Sequence, residues 1–491
     1  MRNAYIIGLD QSTQGTKAIL MDGEGEIVAK AFLPHEQLIS NEGWVSHDGE
    51  GIFRNSVQVI RQLIENAAVN KSSIAAIGIS NQRETTIAWD RKSGKPVEHA
   101  IVWQCARAKE ITDAMTDEAY RQRVRAKTGI PLSPYFPAAK AAWILRHSER
   151  AGKLAQEGRL AIGTVDSFLV YKLTEGAVFK TDYSNASRTQ LFNLHTLKWD
   201  EEICQTFGIP ISALPKVEFS DGDFGATTLN GFFDTPVPIR SVLGDSHAAL
   251  FGQGCVEPGM AKATYGTGSS IMMNIGPAFK ESKSGLVTSL AWGRGGAVDY
   301  VLEGNINYAG AVITWLQKDL GLFESAKDTA DIAAAANPED TAYLVPAFSG
   351  LGAPYWKDSA RAVLVGMSRT TGKNEIVKAG LESIAWQVTD IVEAMSADAG
   401  IRLSELRVDG GPTGNVWLMQ FQSDVSRARI CVQKAEELSA MGAAFMAGID
   451  VGLYDEKILN ADRLKRAYEP QMDRVLRDKK YDGWKQAVEK A

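Results

Sequence analysis

An acid, a set of small hydroxylated residues and a cation stand together in the stretch YIIGLDQSTQGTKAILMD, residues 5–22. Asp10 closes one apolar run, and Ser12, Thr13, Gly15, Thr16 and Lys17 precede the next. A turn rich in Gly, Ser and Thr offers backbone N–H groups and hydroxyls to phosphate oxygens. Asp10 at its base is placed to hold a divalent metal, and Lys17 to add positive charge. An ordinary polar turn is the alternative reading at this point. The turn is not a Walker A loop, because GxxxxGK[ST] is missing, and no GxGxxG follows the first strand.

The pattern recurs. TYGTGSS (264–270) combines Thr264, Gly266, Thr267 and Gly268 between two apolar runs, and RVDGGPTGN (407–415) sets a glycine turn between a strand and a helix. A helix N-terminus of that kind suits an anion or a nucleotide. Three such turns, spread over both halves of the chain, point to a nucleotide held between two domains. VLGDSHAALFG (242–252) offers a different chemistry: Asp245 can orient a substrate hydroxyl and accept its proton. Asp245 as a helix cap is the bland alternative. Ser246 as a hydrolase nucleophile is disfavoured, since it needs a downstream histidine base and no histidine lies beyond His247. Arg83 and Glu84, just past a strand end, can donate to and accept from neighbouring hydroxyls of a polyol, or form a solvated loop. Trp103 and Tyr135 can lie against the C–H face of a sugar, or belong to the core.

The elements that must position these residues alternate between strand and helix, which predicts an α/β protein. Strands are expected over 5–10, 17–22 and 27–33 as a meander, then over 74–80, and an amphipathic helix over 376–395. The segment 261–276 restarts the strand–turn–strand pattern. Two domains of similar design are therefore expected, residues 1–251 and 252–491, meeting in FGQGCVEPG (251–259), with a charged helical tail over the last fifty residues. A cleft between similar halves is a usual ligand site. The 491 residues carry 53 Lys plus Arg against 59 Asp plus Glu, a formal charge of −6, which argues against nonspecific nucleic-acid binding. The four cysteines are scattered without a CxxC, so no disulfide framework or zinc site is expected, in keeping with a cytoplasmic location. No run approaches the length of a membrane span, and the first apolar run is too short for a signal peptide.

Taken together, IIGLDQSTQGTK, SNQRETT, IVWQCAR, DSFLVYKLT, TDYSNASRTQLFN, the Gly-Asp at 244–245, TYGTG, AFSGLGAPYW, LESIAWQ and RVDGG resemble the FGGY carbohydrate kinases, closest to their glycerol-kinase branch. The resemblance runs from residue 5 to about residue 453 in the family's order. It implies two actin-like, RNase H-type domains with ATP and Mg²⁺ in the cleft. By position, Asp10, Thr13, Gly15, Thr16 and Lys17 match the first phosphate motif, with Asp10 on the metal. Thr267 and Gly268 match the second, and Gly310, Gly411 and Asn415 surround the nucleotide. Asp245 matches the catalytic base, and Arg83, Glu84, Trp103 and Tyr135 join it in holding the acceptor.

The departures from the branch are specific. Ser246 stands where Gln is usual and Ser270 where Phe is usual, a change that widens the acceptor pocket and makes it more polar. A longer polyol or ketose is therefore expected to be favoured over glycerol, its extra hydroxyls meeting Ser246, Ser270 and His247. Near the nucleotide, TQGTK replaces TTSSR and Thr314 replaces Gln. The Gly/Arg loop through which some bacterial relatives bind a regulatory sugar phosphate is absent from LNGFFDT (229–235), so no such inhibition is expected. A homodimer is expected. The rival from another class is an actin-like ATPase or chaperone, in which cleft closure itself is the output.

Overall fold

Ile6, Ile7 and Leu9 leave no surface exposed, so the run that ends at Asp10 has to sit inside a sheet with both faces covered. The computed structural model, which describes residues 4–434, 436–460 and 463–491, shows this. Strand Tyr5–Gln11 pairs antiparallel with Gly15–Met21, which pairs antiparallel with Ile27–Pro34. On its other side it runs parallel to Ile74–Asn81, which runs parallel to Val237–Gly244. The outermost strand of the meander alternates half-buried and exposed residues, as a strand with one wet face should.

The second half repeats this plan. Met260–Tyr265 pairs antiparallel with Ser269–Gly276, which pairs antiparallel with Ala297–Ile306. On the other side Met260–Tyr265 runs parallel to Glu405–Asp409, and that strand runs parallel to Arg429–Gln433. An antiparallel meander followed by two parallel strands, twice in one chain, is the duplicated RNase H-type design of the actin-like expectation. The helix expected over 376–395 is Lys373–Ala399, begun after Gly372 and ended at Gly400 with φ of 68°. Its buried residues occupy almost its whole circumference, so it threads a core rather than lying on one.

The two halves are not independent. Ile6, Ile19, Met21, Ala76 and Leu243 of the first sheet pack in one cluster with Met272, Val301, Ala444 and Phe445 of the second half. Helix Leu438–Asp450, which follows the last parallel strand of the second half, lies across the first half's sheet and crosses helix Asp245–Gly252. The crossing is close because it is made of glycine. A Cβ on Gly442 would come 1.8 Å from the Ala248 carbonyl oxygen, and one on Gly252 2.3 Å from that of Leu438.

The last fifty residues are helical only in part, which corrects the expected tail. Leu464–Tyr468 extends the second sheet by pairing antiparallel with Arg429–Gln433. Helix Arg474–Glu489 is docked: Trp484 is fully buried and donates Nε1–H to Asp390 Oδ2 at 2.7 Å. Tyr481, Trp484, Ala487 and Val488 form the apolar stripe that a count of charges obscured. Among the described residues, no helix is long and apolar enough to cross a membrane.

Candidate active site

Asp10 ends the first central strand beside Ser80 of its parallel neighbour, whose hydroxyl donates to Asp10 Oδ1 at 2.8 Å. Burial pushes the Asp10 carboxyl up to about 6; the Ser80 hydrogen bond opposes this and the nearby Asp245 charge adds to it. Lys17, opposite Asp10 in the hairpin register, reaches across to Glu437 of the second half, which Lys30 also approaches at 3.5 Å. The other residues of this hairpin are placed differently from one another. Thr13 Oγ1 accepts from Trp103 Nε1 at 2.9 Å, tying the first hairpin to the Trp103 segment. Thr16 is fully buried, its hydroxyl 2.8 Å from His35 Nε2, so its side chain lies on the face opposite to that of Lys17. Gly15 is buried against Phe32.

The second hairpin turns at Gly266–Gly268 and rests on the start of helix Gly310–Lys318. Gly310 N–H donates to the Gly266 carbonyl at 2.9 Å, and Ala311 N–H to that of Thr267 at 3.0 Å. Thr267 is exposed at the tip. The third turn begins at Gly410, whose φ of 99° only glycine adopts readily and which passes hard against the Tyr265 backbone. Gly411 opens onto free space, while Asn415 caps helix Val416–Ser426 by accepting from Leu418 N–H at 2.9 Å. Asp409, at the end of a parallel strand, accepts from Thr264 Oγ1 at 2.8 Å and from Gln253 Nε2 at 2.9 Å. It stands in the second sheet much as Ser80 stands in the first, with acid and hydroxyl exchanged between strands.

On the acceptor side, Asp245 is the first residue of helix Asp245–Gly252, and Gly244 takes the cap position. Its Oδ1 accepts from Ser246 N–H at 2.6 Å and lies 3.1 Å from Arg83 Nε. Arg83 donates to Ser246 Oγ at 3.2 Å and holds Glu303 through both terminal nitrogens. Glu84 is buried with φ of 60°, an uncommon conformation for a residue with a side chain. Its Oε1 accepts from Arg188 Nε at 2.6 Å. Burial alone would push the Glu303 carboxyl up, but the Arg188 and Arg83 guanidinia outweigh it and hold the group well below the usual carboxylate range. Trp103 and Tyr135 meet edge to face at 5.7 Å between centroids. Ser270 pairs in register with Asn305, and its hydroxyl lies 3.4 Å from the ammonium of buried Lys262. Burial pushes that ammonium down, with the Asp409 carboxylate opposing.

A single cavity of about 1210 Å³ joins the two sides. Its lining includes Asp10, Lys17, Thr267, Gly268 and Asp409 together with Arg83, Trp103, Tyr135, Asp245, Ser246 and Ser270. Thr13, Gly15, Thr16, Glu84, Gly310, Gly411 and Asn415 are not on this lining. His247 does not meet the cavity as expected. It is fully buried with Nε2 3.3 Å from Ser289 Oγ, and burial pushes its imidazole well below the ordinary value. Glu303, Arg188, Lys262, Asp409 and Glu437 are site residues that sequence reasoning missed. Arg188 and Asp409 lie inside TDYSNASRTQLFN and RVDGG without having been singled out there; Glu303 and Lys262 are charged residues within apolar strands, and Glu437 precedes a helix.

The sequence matches the FGGY family of carbohydrate kinases over both of its domains, the N-terminal one at residues 5–252 and the C-terminal one at 261–451. The chain belongs to this family, and is a phosphotransferase that uses an alcohol group as acceptor. It is 48% identical to a glycerol kinase of Carboxydothermus hydrogenoformans, covering 100% of this chain and 99% of that one. It is 46% identical to glycerol kinase 1 of Thermotoga maritima, covering 99% of each. The fold is similar to that of Plasmodium falciparum glycerol kinase crystallised with ADP, at a TM-score of 0.94 and 36% identity over 99% of this chain and 98% of that one. A xylulose kinase of Lactobacillus acidophilus shares the fold at a TM-score of 0.86 and 22% identity, over 99% of this chain and 96% of that one.

Proposed function

We propose that this kinase transfers the γ-phosphoryl group of ATP to a primary hydroxyl of a polyol or ketose larger than glycerol. The observation that carries the reading is one cavity lined in common by Asp10, Lys17, Thr267 and Gly268, by Asp245, and by Ser246 and Ser270. Two hydroxymethyl side chains leave room and offer hydrogen bonds where the acceptor's additional hydroxyls would lie. Arg83, Trp103 and Tyr135 orient the acceptor, the first by donation and the two rings by apolar contact. Asp245 accepts the hydroxyl proton late in the transfer, when the attacking oxygen has become acidic. Backbone N–H groups at Thr267 and Gly268 and the Lys17 ammonium stabilise charge as it moves onto the leaving phosphate. Asp10 fits a hard divalent cation: its carboxylate sits in the cavity near a second carboxylate, and burial disfavours its free anion. Mg²⁺ bound there supplies neutralisation of phosphate oxygens.

A coupled assay of ADP release over glycerol, erythritol, xylitol and D-xylulose tests this. The expected result is turnover that depends on the alcohol, with a four- or five-carbon acceptor giving a higher kcat/KM than glycerol. A preference for glycerol would overturn the enlarged pocket, and slow, acceptor-independent hydrolysis would favour the actin-like ATPase.

A further inference from the structure

Glu303 belongs to the second half of the chain, on strand Ala297–Ile306, yet its carboxylate faces residues of the first half. Its two oxygens take the two terminal nitrogens of Arg83 at 2.9 Å each, fork on fork, and Oε2 also lies 2.9 Å from Arg188 Nη1. Arg188 is spoken for on its other side by Glu84. Two guanidinia and two carboxylates therefore balance one another in a buried group at the edge of the cavity. The contacts Arg83 has left are Nε toward Asp245 Oδ1 at 3.1 Å and a terminal N–H toward Ser246 Oγ at 3.2 Å.

An arginine beside a carboxylate closes on it through two parallel hydrogen bonds when nothing prevents it. Such a clasp on Asp245 would take one lone pair of each oxygen, weaken the carboxylate as a base and crowd the approach of an incoming hydroxyl. Here the bidentate position of Arg83 is already filled, and Asp245 receives the side-on Nε contact alone. The same ribbon that carries Glu303 also carries Asn305, the register partner of Ser270, so the arginine's partner and the pocket wall arrive together.

We propose that Glu303 is a positioning residue that reserves Asp245 for the acceptor, by holding the terminal nitrogens of Arg83 away from it. This rests on the reading of Asp245 as the base. Glu303→Gln keeps the shape and removes the charge that makes the fork. The measurement is steady-state kinetics with both substrates, on the wild type, Glu303→Gln, Arg83→Met and the double variant, using the best acceptor of the four-alcohol panel. The expected result for Glu303→Gln is an acceptor KM raised about tenfold and a comparable loss in kcat, in line with the loss of a charged hydrogen-bond partner. The KM for ATP stays within about twofold, because Glu303 does not itself line the cavity. In the Arg83→Met background the same change costs less than about twofold in kcat/KM, since its effect passes through Arg83. Unchanged acceptor parameters in Glu303→Gln, or a full additive loss in the double variant, overturn the proposal while the kinase reading stands. If no alcohol of the panel supports turnover by the wild type, the pocket reading falls first. Should Glu303→Gln fail to fold, Glu303→Asp keeps the charge but retracts it from the fork. A raised acceptor KM in that variant supports the proposal and a wild-type value overturns it.

Discussion

Asp245 meets Arg83 on one side and opens onto the cavity on the other, and the chemistry assigned to it is general-base catalysis. Asp245→Asn keeps the side chain's shape, so kcat should fall by about 10²–10⁴ while the KM for ATP stays nearly constant. Near-normal turnover in rate measurements on that variant removes Asp245 from the mechanism. Ser270→Phe restores a ring to the pocket wall and should raise the kcat/KM ratio of glycerol to the larger acceptor by about tenfold, the worth of a few apolar contacts. An unchanged ratio contradicts the pocket argument. Asp10, Arg83, Asp245 and the two hairpins were legible in the sequence because each lies in a short local pattern that ends a strand. Glu303, Arg188 and Glu437 were not, because each acquires its meaning from a partner more than a hundred residues away. Thr16 shows the converse: its motif named it, and the alternation of the strand turned its side chain onto His35.

At the scale of elements, the crossing of helices Asp245–Gly252 and Leu438–Asp450 sets where Asp245 stands. Gly442→Ala should destabilise the protein by about 1–3 kcal/mol, since the methyl meets a backbone carbonyl that cannot step aside. Denaturant unfolding checks this, and an unaltered midpoint contradicts the close crossing. The first hairpin rests on a second device. His47 lies 3.4 Å from Gln82 Nε2, and His35 backs Thr16. Burial pushes both imidazoles down to about 4, and the His47 charge adds to the effect on His35. An unfolded histidine takes its proton near pH 6.5, and the folded ones refuse it until about pH 4. Stability attached to these groups is thus complete above pH 6.5, falls as pH drops toward 4 and levels off below that. His47→Gln should flatten the slope of Tm against pH in this window; a slope equal to the wild type's contradicts the assignment. The first meander, the strand over 74–80, the hairpin over 261–276 and the long helix were legible from apolar runs, though the helix is buried almost all round and not on one stripe. The end of the chain was not, because the charged residues of 474–489 surround an apolar stripe whose partner, Asp390 with its helix, is distant in sequence.

At the scale of the molecule, the duplication was visible as a restarted pattern, but the shared core between the halves was not, since no sequence signal pairs Ile19 or Leu243 with Phe445. Residues 252–491 expressed alone should therefore fail to give a cooperative unfolding transition, having lost the sheet on which helix Leu438–Asp450 lies. A sharp, reversible transition from that fragment contradicts the shared core. The same union of halves places Asp10, Lys17, Thr267 and Gly268 on one cavity with Arg83, Asp245, Ser246 and Ser270. A crystal structure with a non-hydrolysable ATP analogue and the preferred acceptor tests that arrangement most directly. It should show an acceptor hydroxyl within about 3.2 Å of an Asp245 carboxylate oxygen and in line with the γ-phosphorus. An acceptor bound elsewhere, or Asp245 turned from the hydroxyl with the phosphate out of line, would contradict it.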